Sequence, residues 1–332
     1  MWNKLEKLAN AMGAAGFESE AAKLAAEYLK PFVDEVHTDK LGNVVGVKTV
    51  SPNAKTLLID AHIDEIGIMI TGQAVEHLPN GFLKFITLGG IDPRMLMARE
   101  FRLATGHYGV VACLPPHVQA KDDSDKCVPT DELFLDTGLD DASVIPVGTV
   151  GVFNGSFLNM GNFVIGKALD DRACFMAILR ALELVKKPKV NIVVVGSVQE
   201  EVGGRGAKVA GYALAPDYCV AVDVTHGHTP DAPKDRTYKV GGGPCIGVGP
   251  NMARFLSDRL KKTAKVKGIP YQIEVLGGAT STNGDDYQIA RDGVPMALLS
   301  LPLKYMHSPV EMLHKDDFEN TAKLLAAFID NM

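Results

Sequence analysis

This sequence predicts an α/β fold: a sheet covered by helices on both faces, with a small all-β unit set into it. Three observations carry that reading. From about Gly166 onward, short apolar runs rich in β-branched residues, such as VNIVVVGSV at 190–198, alternate with helical periods. Such runs mark strands buried on both sides, and their alternation with helices marks an α/β sheet. Second, the TLLIDA run at 56–61 is one more buried strand of the same kind in the first part of the chain. Third, residues of about 71–160 break the rhythm, with Pro79, Pro93, Pro115, Pro116, Pro129 and Pro146, short β-prone pieces and no long helical period. The 332 residues therefore divide into 1–70 plus 161–332, the α/β part, and an all-β insert of 71–160.

Taken in order, the opening MWNKLEKLANAMGAAGFESE reads as an amphipathic helix that contains acids. Residues 19–29 read as a helix capped by Ser19, with Pro31 just past its end. Leu41-Gly42-Asn43, between β-prone stretches, signals a hairpin. The acidic KDDSDK stretch at 121–126 reads as a solvated loop. Beyond the insert, helices are expected at 171–187, 206–213, 252–265, 285–291 and 316–330, and strands at 190–198, 218–224, 271–276 and 296–301. The glycines at 241–243 lack phosphate-loop spacing and read as a tight turn.

Composition excludes several classes. The formal net charge is -6 with no strongly basic half, so nothing is suited to neutralising a nucleic-acid backbone. No apolar run approaches the ~20 residues of a membrane span. The opening stretch, with acids in it, reads as an amphipathic helix rather than as a signal peptide. Five cysteines, an odd number without CxxC spacing, suit reduced thiols and a cytoplasmic location.

Five short segments are chemically loaded: Ala61–Glu65 (AHIDE), Leu169–Arg172 (LDDR), Gln199–Glu201 (QEE), Val222–Val224 (VDV) and Tyr305–Ser308 (YMHS). Four lie at or just beyond the end of an expected apolar strand, where open α/β sheets form their ligand crevices. One crevice can then collect His62, Glu200, Glu201, Asp223 and His307, while Asp170 sits at a helix start, a favourable place for a carboxylate. Clustered buried carboxylates raise one another's pKa, and divalent cations relieve that cost. Imidazole and carboxylate donors suit Zn²⁺ or Co²⁺. Two ions roughly 3.5–4 Å apart sharing one carboxylate would make a hydrolytic site.

DAHIDEIG, GKALDDRA, VQEEVGGRGA, AVDVTHG and YMHSPVEM resemble, in order, the motifs of the glutamyl/leucyl tetrahedral aminopeptidases, co-catalytic dinuclear metallopeptidases. The resemblance runs over nearly the whole chain. It implies a zinc-dependent exopeptidase-like mixed sheet, a β-barrel-like insert that serves oligomerisation, and a tetrahedral dodecamer built from dimers. It implies that Asp170 bridges two divalent ions, that His62 and Asp223 complete one site, and that Glu201 and His307 complete the other. Asp64 would orient His62, as carboxylates do for metal-bound imidazoles. Glu200 would be the general base, and adjacent residues on an extended segment, pointing opposite ways, would suit the different jobs of Glu200 and Glu201. The substrates implied are peptides with a free N-terminus. Three departures stand out: Ser281-Thr282-Asn283-Gly284 replaces the usual Gly-Thr-Asp-Ala, Cys174 replaces a common glycine, and the segment between Pro115 and Pro146 is shorter. The first touches the expected lining around the substrate side chain.

Rival readings are a carboxypeptidase, deacylase or aminoacylase on the same scaffold, or a metal-stabilised module without catalysis. A scaffold has no need of Glu200, an acid beside a ligand. A glycosidase pair is poorly served by adjacent residues such as Glu200 and Glu201. The histidines at 37, 77, 107, 117, 226, 228 and 314 lack comparable context, although His226 and His228 follow a candidate ligand.

Overall fold

The computed structural model describes residues 1–73, 81–115, 126–230 and 232–332. Pro79, His77, Pro116, His117 and nearly all of the KDDSDK loop lie outside them. The chain opens with α1 (Trp2–Asn10) and α2 (Ser19–Leu29), then β1 (Glu35–Thr38), β2 (Val44–Lys48) and β3 (Thr56–His62). The single opening helix expected from the sequence ends at Asn10. Gly13 then packs where a Cβ would lie 2.3 Å from Nη2 of the buried Arg172, and Ala14 bridges to Glu65. Ser19 is the first residue of α2 rather than its cap. The hairpin expected at Leu41-Gly42-Asn43 is present as the β1–β2 pair, its turn held by Asp39 Oδ1, which accepts from the amides of Leu41, Gly42 and Asn43.

Six antiparallel strands then close into a barrel: β4 (Gly67–Gln73), β5 (Phe82–Leu88), β6 (Glu100–Leu103), β7 (Tyr108–Ala112), β8 (Phe134–Asp136) and β9 (Val150–Phe153). Ile68, Ile70, Leu83, Phe85, Phe101, Leu135 and Phe153 fill its interior as a core separate from that of the large sheet.

The chain returns through β10 (Leu158–Met160) and β11 (Phe163–Gly166) to α3 (Leu169–Leu184), β12 (Asn191–Ser197), α4 (Arg205–Leu214) and β13 (Tyr218–His226). It ends with β14 (Cys245–Val248), α5 (Arg254–Lys267), β15 (Gln272–Val275), α6 (Asn283–Gln288), β16 (Met296–Lys304), β17 (Glu311–His314) and α7 (Lys315–Asp330). The large sheet runs β1-β2-β12-β3-β13-β16-β17-β11-β10, with β14 attached to β16 and β15 to β14. Strands β10, β11, β14 and β17 are only 3 or 4 residues long and go unnoticed in the sequence. The turn expected at the triple glycine is present, and the amides of Gly241 and Gly243 donate to the Asp317 carboxylate.

Alternation divides each central strand between two cores. Leu57 and Ile59 of β3, Ile192 and Val194 of β12, and Val220 and Val222 of β13 pack with α1, α2, α3, α5 and α7. Leu58, Val193, Val195, Cys219 and Ala221 pack with α4 and α6 on the other face. Burying each such leucine stabilises the fold by roughly 1.5–3 kcal/mol. The strands β12, β3, β13 and β16 are mutually parallel. Their carboxyl ends therefore emerge along one edge, and that edge carries the site. No helix among the described residues is long and apolar enough to cross a membrane.

Candidate active site

The edge is built by the ends of four neighbouring strands. His62 ends β3, Gln199–Glu201 follows β12, Asp223 lies near the end of β13, and His307 follows β16. Asp170 arrives from the start of α3, where Asp170 and Asp171 have non-helical dihedrals and are joined by a cis peptide bond. Together with Thr225, His226, Glu274, Thr280 and Ser300, the side chains of His62, Asp170, Glu200, Glu201, Asp223 and His307 line a cavity of about 350 Å³.

Asp170 is the centre of the arrangement. Its Oδ1 lies 3.1 Å from Nε2 of His62, and its Oδ2 lies 3.4 Å from Nε2 of His307. The same His307 nitrogen is 3.4 Å from Glu201 Oε2. One carboxylate thus faces both imidazoles, one through each oxygen. The other nitrogen of His307 is 2.7 Å from the carbonyl of Gly90, in the segment after β5.

Asp64 supports this centre twice over. Its Oδ1 is 3.3 Å from His62 Nδ1, and its two oxygens accept from the amides of Glu200 and Glu201, each at 3.1 Å. The His62 contact is within ion-pair range but lacks hydrogen-bond geometry, so His62 Nδ1 remains without a hydrogen-bond partner. Those amide bonds, with Gln199 in a left-handed conformation, turn the chain after β12. Glu200 and Glu201 therefore sit on a turn, not the extended segment expected from the sequence, and both carboxylates face one cavity.

Two further acids hold the frame, and the sequence reading assigned neither a role. Glu311 is buried; its Oε2 accepts from the amide of Asp170 at 3.0 Å and its Oε1 from the amide of His307 at 2.9 Å. Asp171 accepts from the amide of His62 through Oδ2, and its Oδ1 is a buried oxygen without a partner. Two sets of donor atoms cluster closely enough for an ion: His62 with Asp170 and Glu201, and His62 with Asp171 and Asp223. Asp170 lines the cavity and Asp171 does not. The period-2 pattern of β17 places Glu311 inward, and that was the available signal for it.

The electrostatics are those of a site short of positive charge. Burial pushes the carboxyls of Asp223, Asp171 and Glu311 well above the ordinary range, with neighbouring acids adding to it for each. Burial likewise raises Glu200 to about 7, against the pull of His62 and with help from Glu201, Asp64 and Asp170. For His307 burial acts against protonation, yet Asp170 and Glu201 outweigh it and bring the imidazole to about 11. Two close clusters of nitrogen and oxygen donors, with no sulfur among them, and an excess of buried acid together fit divalent cations such as Zn²⁺ or Co²⁺.

Asn283 does not line the cavity, contrary to the expectation for that departure. Its amide nitrogen donates to Asp60 Oδ2 at 2.9 Å and Ser197 Oγ at 2.7 Å, below the site, and Tyr287 donates to the other oxygen of Asp60. The lining there comes from 279–282. Cys174 is fully buried. Of the remaining histidines, His226 lines the cavity, His228 bonds Thr237, and His314 accepts from the Asp316 amide at the start of α7.

Residues 42–324 match the M42 glutamyl aminopeptidase family. The chain is 35% identical to the lysyl aminopeptidase of Pyrococcus furiosus, a match covering all of this chain and 97% of that protein. Among solved structures it is similar to aminopeptidase APDkam598 from Desulfurococcus kamchatkensis, with a TM-score of 0.92, 33% identity and coverage of 100% of this chain and 94% of that one. The Pyrococcus horikoshii TET1 peptidase, which can assemble into a tetrahedron or a large octahedral shell, superposes with a TM-score of 0.85 at 29% identity, covering 99% of both chains. With its motifs, its mixed sheet and barrel, and its acid-and-imidazole cavity all in agreement, this chain belongs to the M42 family of metal-dependent aminopeptidases, hydrolases that remove N-terminal residues from peptides.

Proposed function

We propose that this aminopeptidase works with two divalent ions, Zn²⁺ or Co²⁺, and with Glu200 as its general base. The observation that carries the proposal is the position of Asp170, which presents one oxygen to His62 and the other to His307. His62, Asp170 and Asp223 would hold one ion, and Asp170, Glu201 and His307 the other. Asp170 is preferred to Asp171 as the bridge because it lines the cavity. When bound, such ions polarise a carbonyl and make water more acidic.

The protein's own groups do the rest. Asp64 orients His62 and, through the amides of Glu200 and Glu201, fixes where those carboxylates stand. Glu200, raised to about 7 by burial, is poised to accept a proton at neutral pH. It takes one from the attacking water and delivers it to the departing amine. The acid-lined cavity receives the substrate's free α-amino group, which restricts cleavage to the first residue.

The division into an α/β part of 1–70 and 161–332 and an insert of 71–160 belongs to the same proposal, with the barrel mediating self-assembly. The TET1 relative's ability to form a tetrahedron supports a tetrahedral dodecamer built from dimers. Cytoplasmic residence is supported by Cys127, Cys174, Cys219 and Cys245, which are free thiols among the described residues. The test compares free and N-acetylated peptides before and after chelation. Activity should vanish with the metal, return with Zn²⁺ or Co²⁺, and be confined to free N-termini. Equal turnover of both peptides counts against aminopeptidase action.

A further inference from the structure

The cavity contains a carboxylate that the proposed catalytic set does not use. Glu274 lies on β15, the outermost strand of the β16-β14-β15 extension. The strand register connects it to the site. Asp223 pairs with Ser300, Ser300 pairs with Cys245, and Gly247, two residues on, pairs with Glu274. By two-residue alternation Asp223, Thr225, Ser300 and Glu274 share one face of the sheet. The cavity floor therefore runs from the proposed metal ligands outward to Glu274, and all four residues line it.

Glu274 is only 6% exposed. Thr225 Oγ1 donates to its Oε1 at 2.6 Å and Ser300 Oγ to its Oε2 at 2.5 Å. Both donors are neutral. A carboxylate offers about four acceptor positions, so about half of them are left over. Among the described residues no lysine or arginine pairs with it, and His226 on the cavity wall is the basic side chain that acts on it electrostatically. The nearby lining of Leu276, Ala279, Thr280 and Leu298 is uncharged. Uncharged walls ending in a buried carboxylate suit a long aliphatic stem with a cationic tip.

We propose that Glu274 closes the pocket for the side chain of the substrate's N-terminal residue and selects lysine and arginine. The inference rests on the aminopeptidase reading of the site. A lysyl or arginyl tip gives the buried carboxylate an ionic partner and fills its free acceptor positions. A glutamyl side chain sets two carboxylates against each other. A leucyl side chain seals Glu274 from water without offering it a donor, and sites built for a polar partner reject analogues that lack one.

The test uses the full chain reconstituted with Zn²⁺ or Co²⁺ and lysyl, arginyl, leucyl and glutamyl amides. Wild type should favour the two cationic substrates. Glu274→Gln, which keeps the shape, should lower the lysyl-to-leucyl ratio of kcat/KM by about 10–100-fold, the range for a lost charge-assisted hydrogen bond. Taking a ratio on one preparation cancels any loss of folded protein. Calorimetric titration with L-lysinol and L-leucinol, which are not hydrolysed, provides a readout apart from turnover, and wild type should prefer lysinol while Glu274→Gln should not. Preference of wild type for leucyl or glutamyl amides overturns the proposal. So does an unchanged ratio in Glu274→Gln, which would mark Glu274 as structural or as a partner of the α-amino group. If no amide is cleaved with either metal, the aminopeptidase reading fails, and the lysinol–leucinol comparison still decides the role of Glu274.

Discussion

Replacing Arg172 with methionine should destabilise the protein more than almost any other single change near the site. Arg172 is fully buried. Its Nε donates to the carbonyl of Ile63 at 2.9 Å, and its Nη1 to the carbonyls of Leu8, Ala9 and Ala11 at 2.8, 3.2 and 2.8 Å. Its Nη2 reaches Glu65 Oε1 at 3.1 Å. One guanidinium thus ties the end of α1 to the segment that leaves β3 with His62. Methionine replaces much of the stem but no donor, so those carbonyls and a buried carboxylate oxygen lose a partner. Breaking one side of a buried ion pair costs about 3–5 kcal/mol. Lys167, at 2.6 Å from the other oxygen of Glu65, leaves that carboxylate partly compensated and moves the ionic cost towards the lower end. The lost carbonyl bonds restore the total to about 4 kcal/mol. At about 2 °C per kcal/mol for a chain of this length, the unfolding temperature should fall by roughly 8 °C. Differential scanning calorimetry of metal-saturated wild type and variant reads this directly. A shift of less than about 2 °C would refute the reasoning that this guanidinium clamps α1.

Two other outcomes follow from the same geometry. Asn283→Asp should destabilise in a pH-dependent way, because it sets a second carboxylate against Asp60, which burial already raises to about 6 despite the bonds from Asn283, Ser197 and Tyr287. A carboxyl raised in the folded state contributes its stability at low pH and loses it as pH rises through the folded value. The unfolding-temperature gap to wild type should therefore be small near pH 5 and widen towards pH 8, and a constant gap contradicts it. Light scattering should give a species far heavier than the 35.6 kDa chain. A fully active monomer contradicts the assembly role proposed for the barrel.

The sequence announces the central strands and site motifs clearly for a physical reason. Parallel strands buried on both faces need continuous β-branched runs, and the residues that follow them, His62, Glu200, Glu201 and the segment around Asp223, are forced to one edge. What escaped is set by distant pairing. Glu274 joins the cavity only because β15 pairs with β14 and β14 with β16, contacts across many residues that no local pattern encodes. Its strand does carry a hint, since Ile273 and Val275 face outward while Glu274 is buried between them. Asp171 and Glu311 were visible as letters within the motifs, but their bonds to the amides of His62, Asp170 and His307 depend on the assembled sheet. The left-handed turn at Gln199 is likewise imposed by Asp64 and Glu18, which accept the amides of 199–201 from elsewhere in the chain.

The most direct test separates the neighbours Glu200 and Glu201, which line one cavity but are given different tasks. Metal content by elemental analysis and kcat are measured on the same preparations of Glu200→Gln and Glu201→Ala. Glu200→Gln keeps the shape but cannot take the proton, so it should retain about two ions per subunit while kcat drops by roughly 10²–10⁴-fold. Glu201→Ala should lose one ion along with its activity. An active Glu200→Gln would contradict the mechanism, and a Glu200→Gln that loses an ion beside a Glu201→Ala that keeps both would mean the two roles are reversed.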